Sequence, residues 1–263
     1  YKAILADSKL VYDIIREDAH EMIDRYGDER RTEIVAAAED IGIEDLIAEE
    51  EMAVTISHGG YLKRLAVDTY RKQGRGGKGV AGTKNKDEDF TEHLFIASTH
   101  DYILFFTDRG QVHWIKVYDI PEMGRAARGR ALANVLELEK DEKITSMIPV
   151  REFDEGRFLV MATASGVIKK TSLSAFGRPQ KGGIRAVNLD GGDSLIGVVL
   201  TNGQQKLMLA TRKGQACYFN ESDVRPMGRP ARGVTGIRLH EGDVVVSLIA
   251  ETPGASVLTV TEH

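Results

Sequence analysis

Residues 102–117, YILFFTDRGQVHWIKV, contain the pattern that decides the fold of this chain. An apolar run leads to a turn at Gly110, and a second, half-apolar run follows. Two such runs are typical of a β-hairpin, because glycine readily adopts the positive φ that tight hairpin turns need. The pattern recurs in AVTISHGGYLKRL from Ala53, FLVMATASGVIKKT from Phe158 and KLMLATRKGQACYF from Lys206. The chain therefore contains four hairpin repeats.

The repeats follow one another at a nearly constant period. Their turn glycines are Gly60, Gly110, Gly166 and Gly214. A second motif, G-R-x-x-[K/R]-G, follows each turn glycine at a similar interval, at 74–79, 124–129, 177–182 and 228–233. Acidic turns then precede further β-rich runs, at Asp141-Glu142, Asp193 and Asp243. Each period thus offers about four short strands, a number typical of one propeller blade.

This repeat predicts an all-β fold of stacked blades. One four-stranded sheet cannot bury both of its faces, so the copies must pack on one another, as propeller-like folds do. We expect about four blades and the start of a fifth at residues 257–260, where VLTV matches the first strand of a repeat. Because His263 stands just before the next expected turn glycine, we expect a fragment truncated at both ends, with an incomplete ring.

Residues 1–58 differ from the rest of the chain in charge and pattern. They hold 6 lysines and arginines against 16 aspartates and glutamates, whereas residues 59–263 hold 29 against 24, so the whole-chain net charge of −5 averages an acidic arm and a basic domain. Apolar residues of 1–26 recur at helical spacing, and we expect a helix that Gly27 ends as a C′ glycine. This helix is either the end of a longer helical element or a self-contained cap.

Several kinds of site have little support in the sequence. No apolar stretch is longer than 158–162, which is far shorter than the roughly 20 residues of a membrane span, so we expect no membrane partner. Cys217 is the only cysteine, which excludes an internal disulfide and favours a cytoplasmic protein; we interpret it as structural. The seven histidines show no metal-ligand spacing, and we expect no catalytic, metal or cofactor site.

The G-R-x-x-[K/R]-G motifs favour nucleic acid as a ligand. Arginine and lysine displace counterions from phosphates, and glycine allows a close approach of the backbone. With 6% aromatic residues and none in these motifs, bent duplex DNA is favoured over a single strand. Solvated turns, or a propeller that binds protein, remain alternatives. Lys84, Lys86, Lys169 and Lys170 are interpreted as an extension of the basic face or as solvated charge.

Residues 73–79, QGRGGKG, resemble the gyrase box Q-R-R-G-G-K-G, which is found in the C-terminal domain of the A subunit of bacterial DNA gyrase. GDERRTEIV from Gly27, IEDLIAEEEMAVTISHGGYLKR from Ile43 and STHDYILFFTDRGQVHWIKVYDIPE from Ser98 are similar to that family as well. Gly74 departs from the family pattern, which has arginine there. Topoisomerase IV has a related domain with a degenerate box and is the alternative family.

The resemblance implies a β-pinwheel, a six-bladed relative of the propeller in which blades exchange an edge strand, preceded by a short α-helical segment. It implies three parts: the end of a coiled coil at 1–33, an acidic linker at 34–52, and a truncated DNA-wrapping domain at 53–263. In the family this domain wraps duplex DNA around a positive rim, which enables negative supercoiling by the ATP-driven holoenzyme.

The family's properties also imply partners and site residues. The expected partners are double-stranded DNA, the gyrase B subunit and a second gyrase A subunit, in a cytoplasmic, nucleoid-associated enzyme. ATP and Mg belong to the holoenzyme, and this chain itself is expected to be non-catalytic and to hold no cofactor. The expected DNA-binding residues are Gln73, Gly74, Arg75, Gly76, Gly77, Lys78, Gly79, Arg125, Arg128, Arg130, Arg178, Lys181, Arg185, Arg229 and Arg232.

Overall fold

The computed structural model describes residues 1–29, 31–32, 43–69, 89–125, 127–180 and 182–260. They form two compact units, Tyr1–Leu46 and Ile47–His263. Some features singled out in the sequence lie outside the described residues: linker positions 34–42, the motif at 73–79 with Lys84 and Lys86, Lys181, and residues 261–263.

The described part of the first unit holds two α-helices, α1 (Lys2–Ala6) and α2 (Ser8–Tyr26). The single predicted helix is therefore interrupted at Asp7, whose carboxylate accepts a hydrogen bond from Lys9 N at 2.9 Å and caps α2. Gly27 ends α2, as predicted, and its φ of −65° and ψ of 127° are extended, so the helix ends without a left-handed glycine. Glycine is needed there for space, because an added Cβ would lie 2.4 Å from Ile23 O.

Fifteen strands and several short 3-10 turns form the described part of the second unit. The first strands are β1 (Glu51–Ser57), β2 (Tyr61–Ala66), β3 (Thr91–Ser98), β4 (Tyr102–Thr107) and β5 (Gln111–Lys116). The next are β6 (Arg130–Ala131), β7 (Ile144–Val150), β8 (Phe158–Thr163), β9 (Val167–Ser172) and β10 (Ile184–Arg185). The last are β11 (Leu195–Thr201), β12 (Lys206–Thr211), β13 (Ala216–Asn220), β14 (Val234–Thr235) and β15 (Val245–Ala250).

The strands assemble into four antiparallel sheets, one for each predicted blade. Their strand orders are β3-β1-β2-β6, β10-β5-β4-β7, β11-β8-β9-β14 and β13-β12-β15. In the first three sheets the short strand β6, β10 or β14 comes from the following repeat and pairs with the second hairpin strand. The all-β prediction is confirmed, and the sheets show the edge-strand exchange that the resemblance implies.

The start of a fifth blade does not form a strand. Residues 257–260 were expected to be its first strand, but the structure assigns them no strand, and Val257, Leu258 and Val260 are exposed. A strand needs a hydrogen-bonded neighbour, and residues 257–260 pair with none of the described strands. The prediction at 257–260 is therefore wrong for the chain as described.

The hydrophobic cores lie between successive sheets. In β4, Ile103 and Phe105 enter the core shared with the first sheet, whereas Leu104 and Phe106 enter the core shared with the third. Strand β8 behaves in the same way, with Leu159 on one side and Val160 on the other. Because alternate side chains of a strand point to opposite faces, a strand buried on both faces reads as a continuous apolar run. This explains the run YILFF in the sequence.

The two edges of each sheet have different surroundings. Strand β11 packs against β7 and β15, so these three strands of successive sheets lie next to one another. Strands β6, β10 and β14 form the opposite edges of their sheets. The G-R-x-x-[K/R]-G motifs at 124–129, 177–182 and 228–233, called the basic loops below, lead directly into these three strands. The fold thus places the basic loops at equivalent positions on three consecutive sheets.

Candidate nucleic-acid interface

The final glycine of the first and last basic loops is fixed by two local requirements. Gly129 has φ +100° and Gly233 has φ +111°, a left-handed conformation that disfavours any side chain. An added Cβ would also lie 2.8 Å from Leu62 O at Gly129 and 2.6 Å from Ile168 O at Gly233. These glycines therefore let the loop backbone lie directly on the preceding sheet, where the exchanged strand begins.

The second basic residue of the first and last described loops is exposed and held by the preceding repeat. The guanidinium of Arg128 stacks over the ring of Tyr61, with Cζ 3.7 Å from the ring centroid. Arg232 forms an ion pair with Asp190. The equivalent residue of the middle loop, Lys181, lies outside the described residues. Tyr61 follows the turn glycine of its hairpin, and nothing in its sequence pattern had marked it as a site residue.

The other predicted basic residues differ in exposure. Arg125 and Arg229, the first arginines of their loops, are half-buried, whereas Arg178 of the middle loop is exposed. Arg130 lies exposed on β6, and Arg185 lies exposed on β10, where it donates to Asn188 Oδ1 at 3.2 Å. The box residues Gln73, Gly74, Arg75, Gly76, Gly77, Lys78 and Gly79 lie outside the described residues.

Two lysines that the sequence pattern had assigned to the surface are buried. Lys169 and Lys170 are 1% and 4% exposed, so their interpretation as a basic face or solvated charge is wrong. They lie on β9, a strand with hydrogen-bonded neighbours on both sides, and residues of the following repeat contact both: Arg229 contacts Lys169, and Glu221 contacts Lys170. Sequence reasoning missed this because alternation along one strand does not show what packs on the strand from another repeat.

The two neighbouring lysines have different partners. Lys170 Nζ lies 3.6 Å from Glu221 Oε1 and donates to Glu221 O at 3.1 Å. Lys169 Nζ donates to Ala186 O at 2.6 Å and to Arg229 O. Burial, aided by the charge of Arg229, lowers the pKa of Lys169 to about 8. The ammonium of Lys170 is thus paired with a carboxylate, whereas that of Lys169 is bound only to backbone carbonyls, one of them in a basic loop.

Lys63 of β2 is a third buried lysine, 1% exposed. Its Nζ donates to Arg125 O at 2.7 Å and to Ala127 O at 2.8 Å, both in the first described basic loop. Burial lowers the pKa of Lys63. Like Lys169, it stands three residues after the turn glycine of its hairpin. This shared position is the signal that sequence reasoning could have used.

Aspartate side chains accept hydrogen bonds from the backbone of three of the hairpin turns. Asp89 accepts from Gly59 N at 2.8 Å, Asp193 from Ser165 N at 2.9 Å, and Asp243 from Lys213 N at 3.0 Å. Each donor is the residue before a turn glycine. The hydrogen bond from Gly59 lowers the pKa of Asp89. These contacts explain two of the acidic turns that the sequence places before the last strand of a blade, those at Asp193 and Asp243.

Asp193 gives the stability of the second unit a pH dependence. Burial raises the pKa of Asp193, but hydrogen bonds from Ser165, Thr163 and Ser194 outweigh burial, so the pKa lies below its ordinary value. A folded-state pKa below the unfolded value stabilises the fold at high pH, and this contribution is lost as pH falls through the folded pKa.

We expect the urea midpoint to fall between about pH 5 and pH 2, and D193N to reduce that fall. D154N, which removes an exposed carboxylate, is the control, and an equal pH dependence in native protein and D193N would contradict the assignment.

Other kinds of site have no support in the described part of the chain. Its histidine, cysteine, aspartate and glutamate side chains do not gather in threes that could hold a metal ion. Neither α1 nor α2 combines the length and the apolar character that crossing a membrane requires, and the other described residues supply no such helix. Cys217 is half-buried and packs against the core between the third and fourth sheets.

Comparison with known proteins agrees with this architecture. The family "DNA gyrase C-terminal domain, beta-propeller" matches residues 51–98, 101–151, 157–202 and 205–250, one segment for each sheet. The DNA gyrase A subunit of Salmonella typhimurium is 51% identical over 251 residues, which make up 95% of this chain and 29% of that protein. The chain therefore spans less than a third of that relative's length.

Two solved structures resemble the fold. The crystal structure of the C-terminal domain of DNA topoisomerase IV matches with a TM-score of 0.68 and 30% identity, over 78% of this chain and 62% of that one. The structure of the DNA gyrase A C-terminal domain matches with a TM-score of 0.58 and 28% identity, over 76% of this chain and 65% of that one. The resemblance drawn from the sequence is confirmed, and the chain belongs to the DNA gyrase C-terminal domain, beta-propeller family.

Proposed function

We propose that this chain binds duplex DNA through its basic loops and bends the duplex along the outer edges of consecutive sheets. The main support is that the loops at 124–129, 177–182 and 228–233 each precede an exchanged strand and lie at equivalent places in their sheets. Arg128, Arg178 and Arg232 are exposed there. A duplex that follows these edges meets a basic side chain at each of the three sheets that carry an exchanged strand, and these contacts offset the cost of bending it.

The loops have the chemistry of phosphate recognition without base readout. Guanidinium groups pair with phosphate oxygens, whereas discrimination between bases needs side chains that enter a groove and match the base edges. Exposed Arg130 and Arg185 continue the basic surface from the loops onto the exchanged strands. Binding on such a surface is indifferent to base sequence and depends strongly on salt.

Residues 73–79 extend this proposal to the first repeat. They occupy the motif position of the first period, as far after Gly60 as loop 124–129 lies after Gly110. We include Gln73 to Gly79 in the DNA-binding surface on this equivalence and on the resemblance to the gyrase box. Lys181 is included because it stands at the same motif position as Arg128 and Arg232.

The parent protein in this proposal is the A subunit of DNA gyrase. Identity of 51% to a DNA gyrase A subunit over 95% of the chain supports it. The parent would act with the gyrase B subunit and a second gyrase A subunit, with ATP and Mg bound elsewhere in the holoenzyme, in the cytoplasm beside the nucleoid. The present chain would be non-catalytic and would supply the wrapped DNA from which negative supercoils are introduced.

A salt titration tests the proposed ligand. Two duplexes of equal length and unrelated sequence are titrated with the chain at several salt concentrations. We expect Kd values that agree within about threefold and a log–log salt slope of several units, because phosphate contacts carry the affinity. Strong preference for one sequence, or affinity independent of salt, would contradict phosphate-mediated binding. Absence of duplex binding would favour a propeller that binds protein.

The corresponding subunit of topoisomerase IV is the second candidate for the parent, since the C-terminal domain of that enzyme is a structural neighbour of this chain. The two candidates differ in what the whole enzyme does with a relaxed plasmid. A gyrase parent introduces negative supercoils with ATP, whereas the alternative only relaxes. The topology of a relaxed plasmid after incubation with the complete enzyme decides between them.

A further inference from the structure

Two repeats place a buried ammonium under a basic loop in the same way. Lys63 and Lys169 each stand three residues after a hairpin turn glycine, and each donates to a carbonyl of the loop that follows one repeat later. The shared acceptor is the carbonyl of the first arginine of the motif, Arg125 O for Lys63 and Arg229 O for Lys169. Donor and acceptor therefore occupy the same positions in these two repeats.

Stability does not account for these lysines. In the described part of the chain no carboxylate lies within ion-pair distance of Lys63 or Lys169, although both are 1% exposed. Their neighbour Lys170 is different, since Glu221 stands 3.6 Å from its Nζ. Burying an ammonium without a counter-charge costs free energy that an apolar side chain of the same length would avoid. Because their burial lowers the stability of the fold, we expect these two lysines to have a role in the basic loops that they contact.

We propose that Lys63 and Lys169 are positioning residues of the basic loops: each holds the carbonyl of the loop's first arginine inward, so that the second arginine of the same loop, Arg128 or Arg232, faces outward. The inference rests on the DNA-binding function proposed above. Lys63 holds the carbonyls of Arg125 and Ala127, and the next residue is the exposed Arg128. A carbonyl oxygen turned outward would repel phosphate, whereas one bound to an ammonium leaves the loop surface to its donors.

The second and fourth repeats show what replaces lysine at this position. His113 occupies it in the second sheet, and an added Cβ at Gly183 would lie 2.8 Å from its ring, so the next repeat packs directly on the imidazole. Cys217 occupies it in the fourth. The lysine contact is therefore characteristic of the loops at 124–129 and 228–233, where both motif arginines are described.

A double-mutant cycle in the 263-residue chain tests the inference. K63M removes the ammonium at similar length and is combined with R128A, in the loop above Lys63, or with R232A, in a distant loop. At 0.1 M salt, R128A and R232A are each expected to weaken duplex binding about eightfold, the effect of one lost phosphate contact. K63M should weaken binding by about fivefold; in its background R128A should add less than about twofold, and R232A should keep its full effect.

Stability separates positioning from a general structural role. Since K63M removes an uncompensated buried charge, we expect its thermal midpoint to be unchanged or higher while its affinity falls. K116M is the control, because Lys116 is half-buried and also donates to a backbone carbonyl, His100 O at 2.8 Å, but lies at the end of β5 away from β10. Its affinity should stay within about twofold of the native value.

The outcomes are distinguishable. If R128A and R232A alone leave affinity unchanged, the proposed binding surface is wrong, and the inference fails with it. A second outcome is that R128A and R232A each weaken binding, but K63M lowers the affinity of R128A by the same factor as that of R232A. The proposed binding surface is then supported, and the positioning role of Lys63 is overturned. A loss of affinity in K63M that merely parallels a loss of thermal stability also overturns it.

Discussion

Replacing Arg125, Arg128, Arg229 and Arg232 together by alanine is expected to weaken duplex binding by a factor of about 4,000 at 0.1 M salt, about eightfold for each lost contact. Each lost phosphate contact lowers the log–log salt slope by about 0.9, so four contacts should flatten it by about 3.6. The effect should shrink as salt is raised, because counterion release drives the binding. Fluorescence titrations of one labelled duplex at increasing salt measure both quantities.

A charge-matched variant separates the loops from the overall charge. Alanine at Arg16, Arg25, Arg157 and Lys206 removes the same four charges from exposed positions outside the basic loops. This control should keep a salt slope within about one unit of the native value. Equal losses of slope in the two variants would mean that the basic loops are not the binding surface.

Lys170→Met is expected to lower the free energy of unfolding by about 3–5 kcal/mol, the usual cost of leaving one partner of a buried ion pair uncompensated. Glu221 is fully buried, and its carboxylate accepts from Thr201 Oγ1 at 2.6 Å and from Gln205 N at 3.3 Å. With the ammonium gone, these two neutral donors alone would have to compensate the charge. Urea unfolding of the native chain and of the variant at neutral pH measures the difference.

A second substitution shows whether the charge is the cause. In the variant K170M/E221Q the buried carboxylate becomes an amide, whose oxygen can accept from Gln205 N while its NH2 group donates to Thr201 Oγ1, leaving the Thr201 hydroxyl to donate to Phe158 O. We expect it to regain most of the lost stability, because no charge is left without a partner. A loss below about 1 kcal/mol in K170M, or no recovery in the double variant, would contradict a buried ion pair that matters to the fold.

The blades could be predicted because their signals are local and repeated. In each hairpin an apolar run such as YILFF is followed within a few residues by a turn glycine. The period of about 50 residues then implies stacked sheets. The exchanged strands could not be found this way. Arg130–Ala131 and Ile184–Arg185 are two residues long, too short to show any alternation, and only the resemblance implied that they pair with another repeat.

The basic loops were visible in the sequence, whereas what supports them was not. Their glycines and arginines recur in register, but burial of Lys63 and Lys169 depends on a loop that arrives much later in the chain, as the separations of 62 and 60 residues to Arg125 and Arg229 show. The Arg128–Tyr61 stack depends on the same long-range packing. Sequence patterns describe one element at a time, so contacts between repeats escape them.

Site-directed cleavage of DNA tests most directly whether the basic loops contact the duplex. Cys217 is first replaced by serine, and a single cysteine at position 128, 232 or 154 then carries an iron chelate that cuts nearby DNA. Positions 128 and 232 lie in basic loops, whereas Asp154 is exposed outside them. We expect cleavage of the bound duplex from positions 128 and 232 and none from 154. Cleavage from 154, with none from the loops, would contradict the account.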